Sequence, residues 1–139
     1  MSVEERPKMP ASQLVYGEIV YWVTVVAAII CSIGPFISIK NVENNILNPH
    51  FLFAGIFEGK SPETIWQEVG GGFPGGHFYL ANFGMGDGFT QAGLALGCSV
   101  GLYGLIAASF CFLKEGNPLF FVLSLWVALL ISVSMIGIV

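Results

Sequence analysis

Three apolar runs divide the chain: Ile19–Ile39, Gly93–Leu113 and Pro118–Val139. At ~1.5 Å of rise per residue, about 20 residues cover the ~30 Å hydrocarbon core of a bilayer, so each run reads as a transmembrane helix. No Asp, Glu, Lys, Arg or His stands in the middle of any of them. The pattern predicts an all-α membrane protein, one integral unit over residues 1–139, with three transmembrane helices and an extramembrane connection over residues 40–90.

Small residues mark one side of each run. In Gly93–Leu113 they are Gly93, Gly97, Gly101, Gly104, Ala108 and Cys111, which at ~100° per residue share one narrow stripe. The first run carries Thr24, Ala28, Cys31 and Pro35, and the last carries Ser124, Ala128 and Ser132. Such faces let another helix approach closely. They predict a tight three-helix bundle or a small bundle wedged among other subunits. The Gly93 stripe would also admit a lipid tail or a flat cofactor, packing against a partner helix being the preferred reading. Pro35, following Gly34, is expected to bend or end the first helix. Glu18 stands at that helix's entrance beside Tyr16, Tyr21 and Trp22, an aromatic belt at headgroup level.

The 51-residue connection from Lys40 to Thr90 is too long for a simple loop and too apolar to be disordered. Asn48-Pro49 pairs a capping residue with a proline at the first helical position and opens a short helix that Gly59 stops. Ser61-Pro62-Glu63 starts a second by the same logic, with Trp66 as its apolar anchor and Gly70 as its stop. Both read as short interfacial helices. From Gly70 to Gly88, eight of nineteen residues are glycine, interleaved with Phe73, His77, Phe78, Tyr79 and Phe83. That alternation suggests an irregular aromatic cap lying on the membrane. Asp87 or Thr90 would cap the second span, and Lys114-Glu115-Gly116-Asn117 would turn tightly into the third, making the last two spans antiparallel neighbours.

Composition agrees with this pattern. The chain is 55% hydrophobic and 10% charged, against ~25% charged in soluble domains. Its net charge of −4 leaves no basic surface for nucleic acid. The N-terminal segment mixes charges and prolines and lacks the basic leader and short apolar core of a cleaved signal, so it is expected to be retained and held, a partner subunit being one candidate. Arg6, Lys8 and Lys114 stand against Lys40 and Lys60 across the expected topology, which favours a cytoplasmic N-terminus with the aromatic cap outside.

Candidate chemistry is sparse. Cys31, Cys98 and Cys111 lie in apolar runs with no C-x-x-C pair and read as small buried hydrophobes, so no metal site is expected. His50 and His77, both in the connection, are the candidate cofactor ligands. A Ser-His-Asp set and an H-E-x-x-H motif are both missing, so no catalytic residue is assigned and the chain is not read as an enzyme. GMGDG at Gly84–Gly88 matches a phosphate loop only in its glycines.

From about Asp87 onward, Gly-Asp before the second span, Gly93 near its start, the charged turn at Lys114-Glu115 and the Leu/Val/Ser-rich final span resemble the C-terminal third of a poorly characterised family of three-span prokaryotic membrane proteins, a domain of unknown function. Members typically carry a proline in the second span, where Gly101 and Gly104 stand here. The resemblance implies three spans and, because some members accompany permeases, a transport-associated role, but no binding residues. Three expectations follow. The first is a non-catalytic accessory or scaffold subunit of a respiratory or otherwise energy-converting membrane complex, surrounded by lipid and other integral subunits. The second is a transport-associated protein whose Ser99, Ser109, Ser124 and Ser132 line a polar path. The third is a haem-, quinone- or pigment-holding subunit built on the glycine stripe and the histidines.

Overall fold

The computed structural model describes residues 8–137, and its regular structure is all helical, with no strand among the described residues. The six α-helices are α1 (Ala11–Lys40), α2 (Pro49–Phe57), α3 (Pro62–Gly70), α4 (Gly86–Cys98), α5 (Val100–Lys114) and α6 (Pro118–Ile136), and a 3-10 turn covers Phe78–Leu80. Among the described residues, three helical stretches are long and apolar enough to cross a membrane: Ala11–Lys40, Gly86–Lys114 and Pro118–Ile136. The expectation of a held N-terminal tail falls largely on residues 1–7, and the end of the third run on residues 138–139, all outside the described residues.

The two long N-proximal stretches exceed the runs read from hydropathy. At 30 residues α1 is about 45 Å long. It starts at Ala11, so Glu18 lies inside the helix rather than at its entrance, and its Oε1 accepts the Trp22 indole N–H one turn later at 3.0 Å. Pro35 does not end α1, which continues to Lys40. The second stretch begins at Gly86 rather than Gly93 and is interrupted at Ser99, a buried residue whose hydroxyl lies 3.3 Å from the Tyr103 hydroxyl.

The chain forms two compact units. The first comprises Met1–Thr24 and Cys98–Val139. Here α5 and α6 are antiparallel: Gly116, at φ +73°, closes the turn, the Phe112 and Phe120 rings lie 5.6 Å apart, and Gly101 faces Ile131. The buried positions are Gly104, Ala108 and Ser109 on α5 and Ser124 and Ala128 on α6. Ser109 and Ser124 return their hydroxyls to the carbonyls of Ile106 and Phe121, at 2.6 and 2.9 Å, and Ser132 does the same to Ala128 at 2.8 Å. A hydroxyl spent on its own helix can be buried among apolar neighbours without an orphaned polar group. The start of α1 belongs to this unit. Glu115 accepts from the backbone N–H and the hydroxyl of Ser12, both at 2.9 Å, so a carboxylate caps the N-terminus of α1 where the helix dipole favours negative charge.

The second unit, Val25–Gly97, contains the rest of α1, the connection and α4. Within it α1 and α4 run antiparallel and pair four small positions on each: Ala27 with Gly97, Cys31 with Gly93, Gly34 with Thr90, and Ser38 with Gly86. The spacing is four, three, four on both helices, the seven-residue repeat of a closely packed helix pair. A Cβ added at Gly86 would stand 2.6 Å from the Ser38 nitrogen, and one at Gly93 would stand 2.9 Å from the Cys31 nitrogen. The backbones themselves are in contact at these points. The α1 face expected from sequence, Thr24, Ala28, Cys31 and Pro35, is therefore displaced by about one residue. Thr24, Ala28 and Pro35 are exposed, and only Cys31 belongs to the contact.

The connection folds as capping chemistry dictates. The Asn48 side chain accepts from the His50 N–H at the start of α2, and Ser61 accepts from the Thr64 N–H at the start of α3, each helix having proline in its first turn. Gly70 is the last residue of α3 rather than its stop. Gly71, at φ +69°, provides the left-handed residue that ends it. Ile65 of α3 is buried against Gly55 of α2, and the Trp66 ring meets Phe73 and Phe78 edge-on, with centroids 5.2 and 6.2 Å apart.

Candidate functional site

The densest polar cluster lies where α1 ends and α4 begins, on the segment Asn41–Leu47. Helix ends leave backbone carbonyls and N–H groups without intrahelical partners. One side chain serves both ends here. The amide nitrogen of Asn45 donates to the carbonyls of Ser38, Asn41 and Val42 at 3.3, 3.3 and 3.1 Å, and its Oδ1 accepts the Asp87 N–H at 3.2 Å. Gly86 N–H donates to the Asn44 carbonyl at 3.1 Å, Gly88 N–H to Asp87 Oδ1 at 2.8 Å, and Phe89 N–H to the Met85 carbonyl at 2.8 Å. All four leading N–H groups of α4 are thereby satisfied. Asp87 does not cap α4 by preceding it, as the sequence suggested. It lies in the first turn and reaches back, its Oδ2 accepting from Ile46 and Leu47 N–H at 2.8 and 3.0 Å. Thr90 spends its hydroxyl on the Gly86 carbonyl.

Beside this knot is a cleft of about 490 Å³ within the second unit, lined by the end of α1, the start of α4, and the connection. Its walls are largely apolar, with Ile39, Leu52, Phe53, Trp66 and Phe78 among them. Ser38, Gln91 and Asp87 also line it. A volume of this size, apolar with a few polar groups, is typical of small-molecule sites. A second cavity, of about 460 Å³, lies between α2 and α3, and its one cation, Lys60, is spent on Glu68 and Glu58 at 2.8 and 3.1 Å. Those two hydrogen-bonded carboxylates raise the Lys60 pKa above its ordinary value, Glu68 most. The Glu63 carboxyl is held below its ordinary value by its own backbone N–H and by Ser61, as expected at a helix N-terminus.

The residues singled out from sequence are distributed otherwise. His50 is exposed at the start of α2, and His77 is exposed before the 3-10 turn, its ring 6.1 Å from Tyr79; neither lines either cavity. Among the described residues no three His, Cys, Asp or Glu side chains form a metal-binding group. The glycine stripe is not an open groove at its closest points. Gly93 and Gly97 lie against Ile30, Cys31 and Ala27 in the second unit, and Gly104 lies under the Tyr16 ring and Val20 in the first. Ala108 and Ala128 are buried, Ser124 is 5% exposed and Ser132 is half-buried. Sequence reasoning overlooked Asn45 and Gln91. The clue to Asn45 was available: an Asn-rich run directly after a long apolar helix is suited to capping.

No solved structure matches this chain. An uncharacterised protein of Archaeoglobus fulgidus is 26% identical over 106 residues, covering 75% of this chain and 68% of that protein. A family model matches residues 12–138, far beyond the C-terminal third on which the resemblance in sequence rested. The chain therefore belongs, over nearly its whole length, to the uncharacterised family which that model describes.

Proposed function

We propose that the protein is a non-catalytic accessory or scaffold subunit of a multi-subunit membrane complex, anchored by its three long helical stretches. One observation carries this reading: the connection between the first two stretches, too short in its helices to span a bilayer, exposes a set of large apolar side chains. Phe57 is 88% exposed, Leu80 72%, Phe51 65% and Phe73 63%. On a spanning helix such exposure meets lipid. Outside the spans a concentration of apolar side chains marks an interaction surface, and aromatic side chains are the residue type enriched where proteins dock. The buried polar groups give the complementary half of the reading, since Ser12 and Asn45 serve helix ends and Ser109 and Ser124 spend their hydroxyls on their own helices. This is the economy of a scaffold.

The test is purification from native membranes in mild detergent followed by native mass measurement. Co-purification of further integral subunits, with a photo-cross-linking residue at Phe57 capturing one of them, is the expected result. A monodisperse chain free of partners, with no cross-link from position 57, overturns the proposal.

A further inference from the structure

The cleft beside the Asn45–Asp87 knot holds a combination that helix packing leaves unexplained. Every other polar side chain at its inner edge is committed: Asn45 to four backbone partners at two helix ends, Asp87 to three N–H groups, Thr90 to Gly86. Three lining groups are not. The Trp66 indole N–H, the Gln91 side-chain amide and the Ser38 hydroxyl form no hydrogen bond with any other described residue. All three are able to donate, and donating is the only capacity they share, because the indole has no acceptor. Gln91 stands in the second turn of α4, in the stretch Gly86–Lys114 that is long and apolar enough to span a membrane.

The geometry points to a membrane-soluble quinone as the occupant: a flat apolar ring whose carbonyl oxygens accept from Trp66, Gln91 and Ser38, with its tail leaving over Ile39 and Phe53. Each part answers an observation. The unspent donors call for an acceptor-only head. Asp87, the cleft's one ionisable lining group, is saturated by N–H groups and disfavours an anionic head. Aromatic lining by Phe53, Trp66 and Phe78 suits a ring better than a flexible chain. The cleft's volume of about 490 Å³ accommodates a ring and the first part of a tail. Ile39, 73% exposed, and Phe53, 57% exposed, mark an apolar way out toward lipid. The inference goes beyond the scaffold reading and does not depend on it, since a lone chain could bind a quinone and a partnered chain could bind none.

The experiment uses the full chain in detergent, with Trp22→Phe and Trp126→Phe so that Trp66 is the sole indole of the three in the sequence. Decylubiquinone is titrated while the Trp66 emission is followed. Saturable quenching is expected, and Gln91→Leu, which suits a membrane helix and leaves the fold intact, should weaken the apparent affinity by about three- to tenfold, the worth of one hydrogen bond. Ser38→Ala should weaken it by a smaller factor. Quenching that rises linearly without saturation, or that is unchanged in Gln91→Leu, overturns the proposal. In parallel, an organic-solvent extract of the protein from native membranes should contain a quinone approaching one per chain, recognised by ultraviolet absorption that bleaches on borohydride reduction. An extract holding ester lipid alone, with decylubiquinone unable to displace it, also overturns the proposal and assigns the cleft to a lipid chain.

Discussion

In the unit formed by Met1–Thr24 and Cys98–Val139, α1 approaches α5 through side chains: the Tyr16 ring and Val20 lie over Gly104. In the unit Val25–Gly97 the same helix approaches α4 backbone to backbone, with Gly86 against the Ser38 main chain and Gly93 against the Cys31 main chain. The polar ties differ in the same sense. Glu115 reaches from a turn to satisfy two groups of Ser12 at a helix start, whereas Asn45 and Asp87 bind main chain from three separate stretches. A side-chain contact can adjust by a rotamer change, and a backbone contact cannot. The second unit, which also holds the cleft, should therefore be the less forgiving of substitution.

The largest effect should come from filling the backbone contact. Gly86→Ala and Gly93→Ala each place a Cβ within 3 Å of main-chain atoms and should cost about 1–3 kcal/mol, as overpacking does. Gly97→Ala and Gly101→Ala meet their nearest atoms at 3.6 and 3.8 Å and should be neutral or stabilising by up to about 1 kcal/mol, the helix-propensity gain over glycine. Thermal unfolding in detergent measures both. Equal losses at all four positions would break the contrast.

Next in size, Asp87→Ala leaves the Ile46 and Leu47 N–H groups without their acceptor and should cost about 1–3 kcal/mol. Ser12→Ala removes one of the two bonds to Glu115 and should cost about 1 kcal/mol or less. Hydrogen exchange should show faster opening at Ile46 and Leu47 in the first variant and near the start of α1 in the second. A smaller loss in Asp87→Ala than in Ser12→Ala would reverse the ranking of the two units.

Gly104→Ala is a finer probe. Its Cβ would stand 2.8 Å from the Tyr16 ring, yet Tyr16 is 38% exposed and can swing aside. The expected loss is below about 1 kcal/mol, and Tyr16→Ala in the same chain should abolish it. Persistence of the loss without the ring would show that α1 is rigidly held in both units.

The smallest effect is electrostatic. The raised Lys60 pKa means that its pairing with Glu68 and Glu58 stabilises fully below the ordinary lysine pKa and is lost as pH rises through the raised one. The lowered Glu63 pKa means that its contribution is present above the ordinary carboxylate pKa and is lost as pH falls through the lowered one. Both groups are exposed and screened, so the unfolding temperature should stay flat between these limits. Glu68→Gln should move the Lys60 titration, followed by NMR, down toward its ordinary value.

Much of the helical framework was determined locally. Asn48-Pro49 and Ser61-Pro62 start α2 and α3 because a capping oxygen and a proline act on the next few N–H groups whatever surrounds them. Likewise, three uncharged runs suffice to give three helical stretches able to cross a bilayer. Their true limits were not legible. α1 extends back to Ala11 because Glu115, 103 residues away, supplies the missing cap, and α4 extends back to Gly86 because Asn44 and Asn45 supply its N-terminal acceptors. Which small residues meet was also decided only in three dimensions. Thr24-Ala28-Cys31-Pro35 and Ala27-Cys31-Gly34-Ser38 are both plausible stripes on one helix, and the α4 backbone selects the second. The cleft belongs wholly to tertiary structure, because Ser38, Trp66 and Gln91 come from three distant segments and each is unremarkable until folding brings them to line one largely apolar cleft.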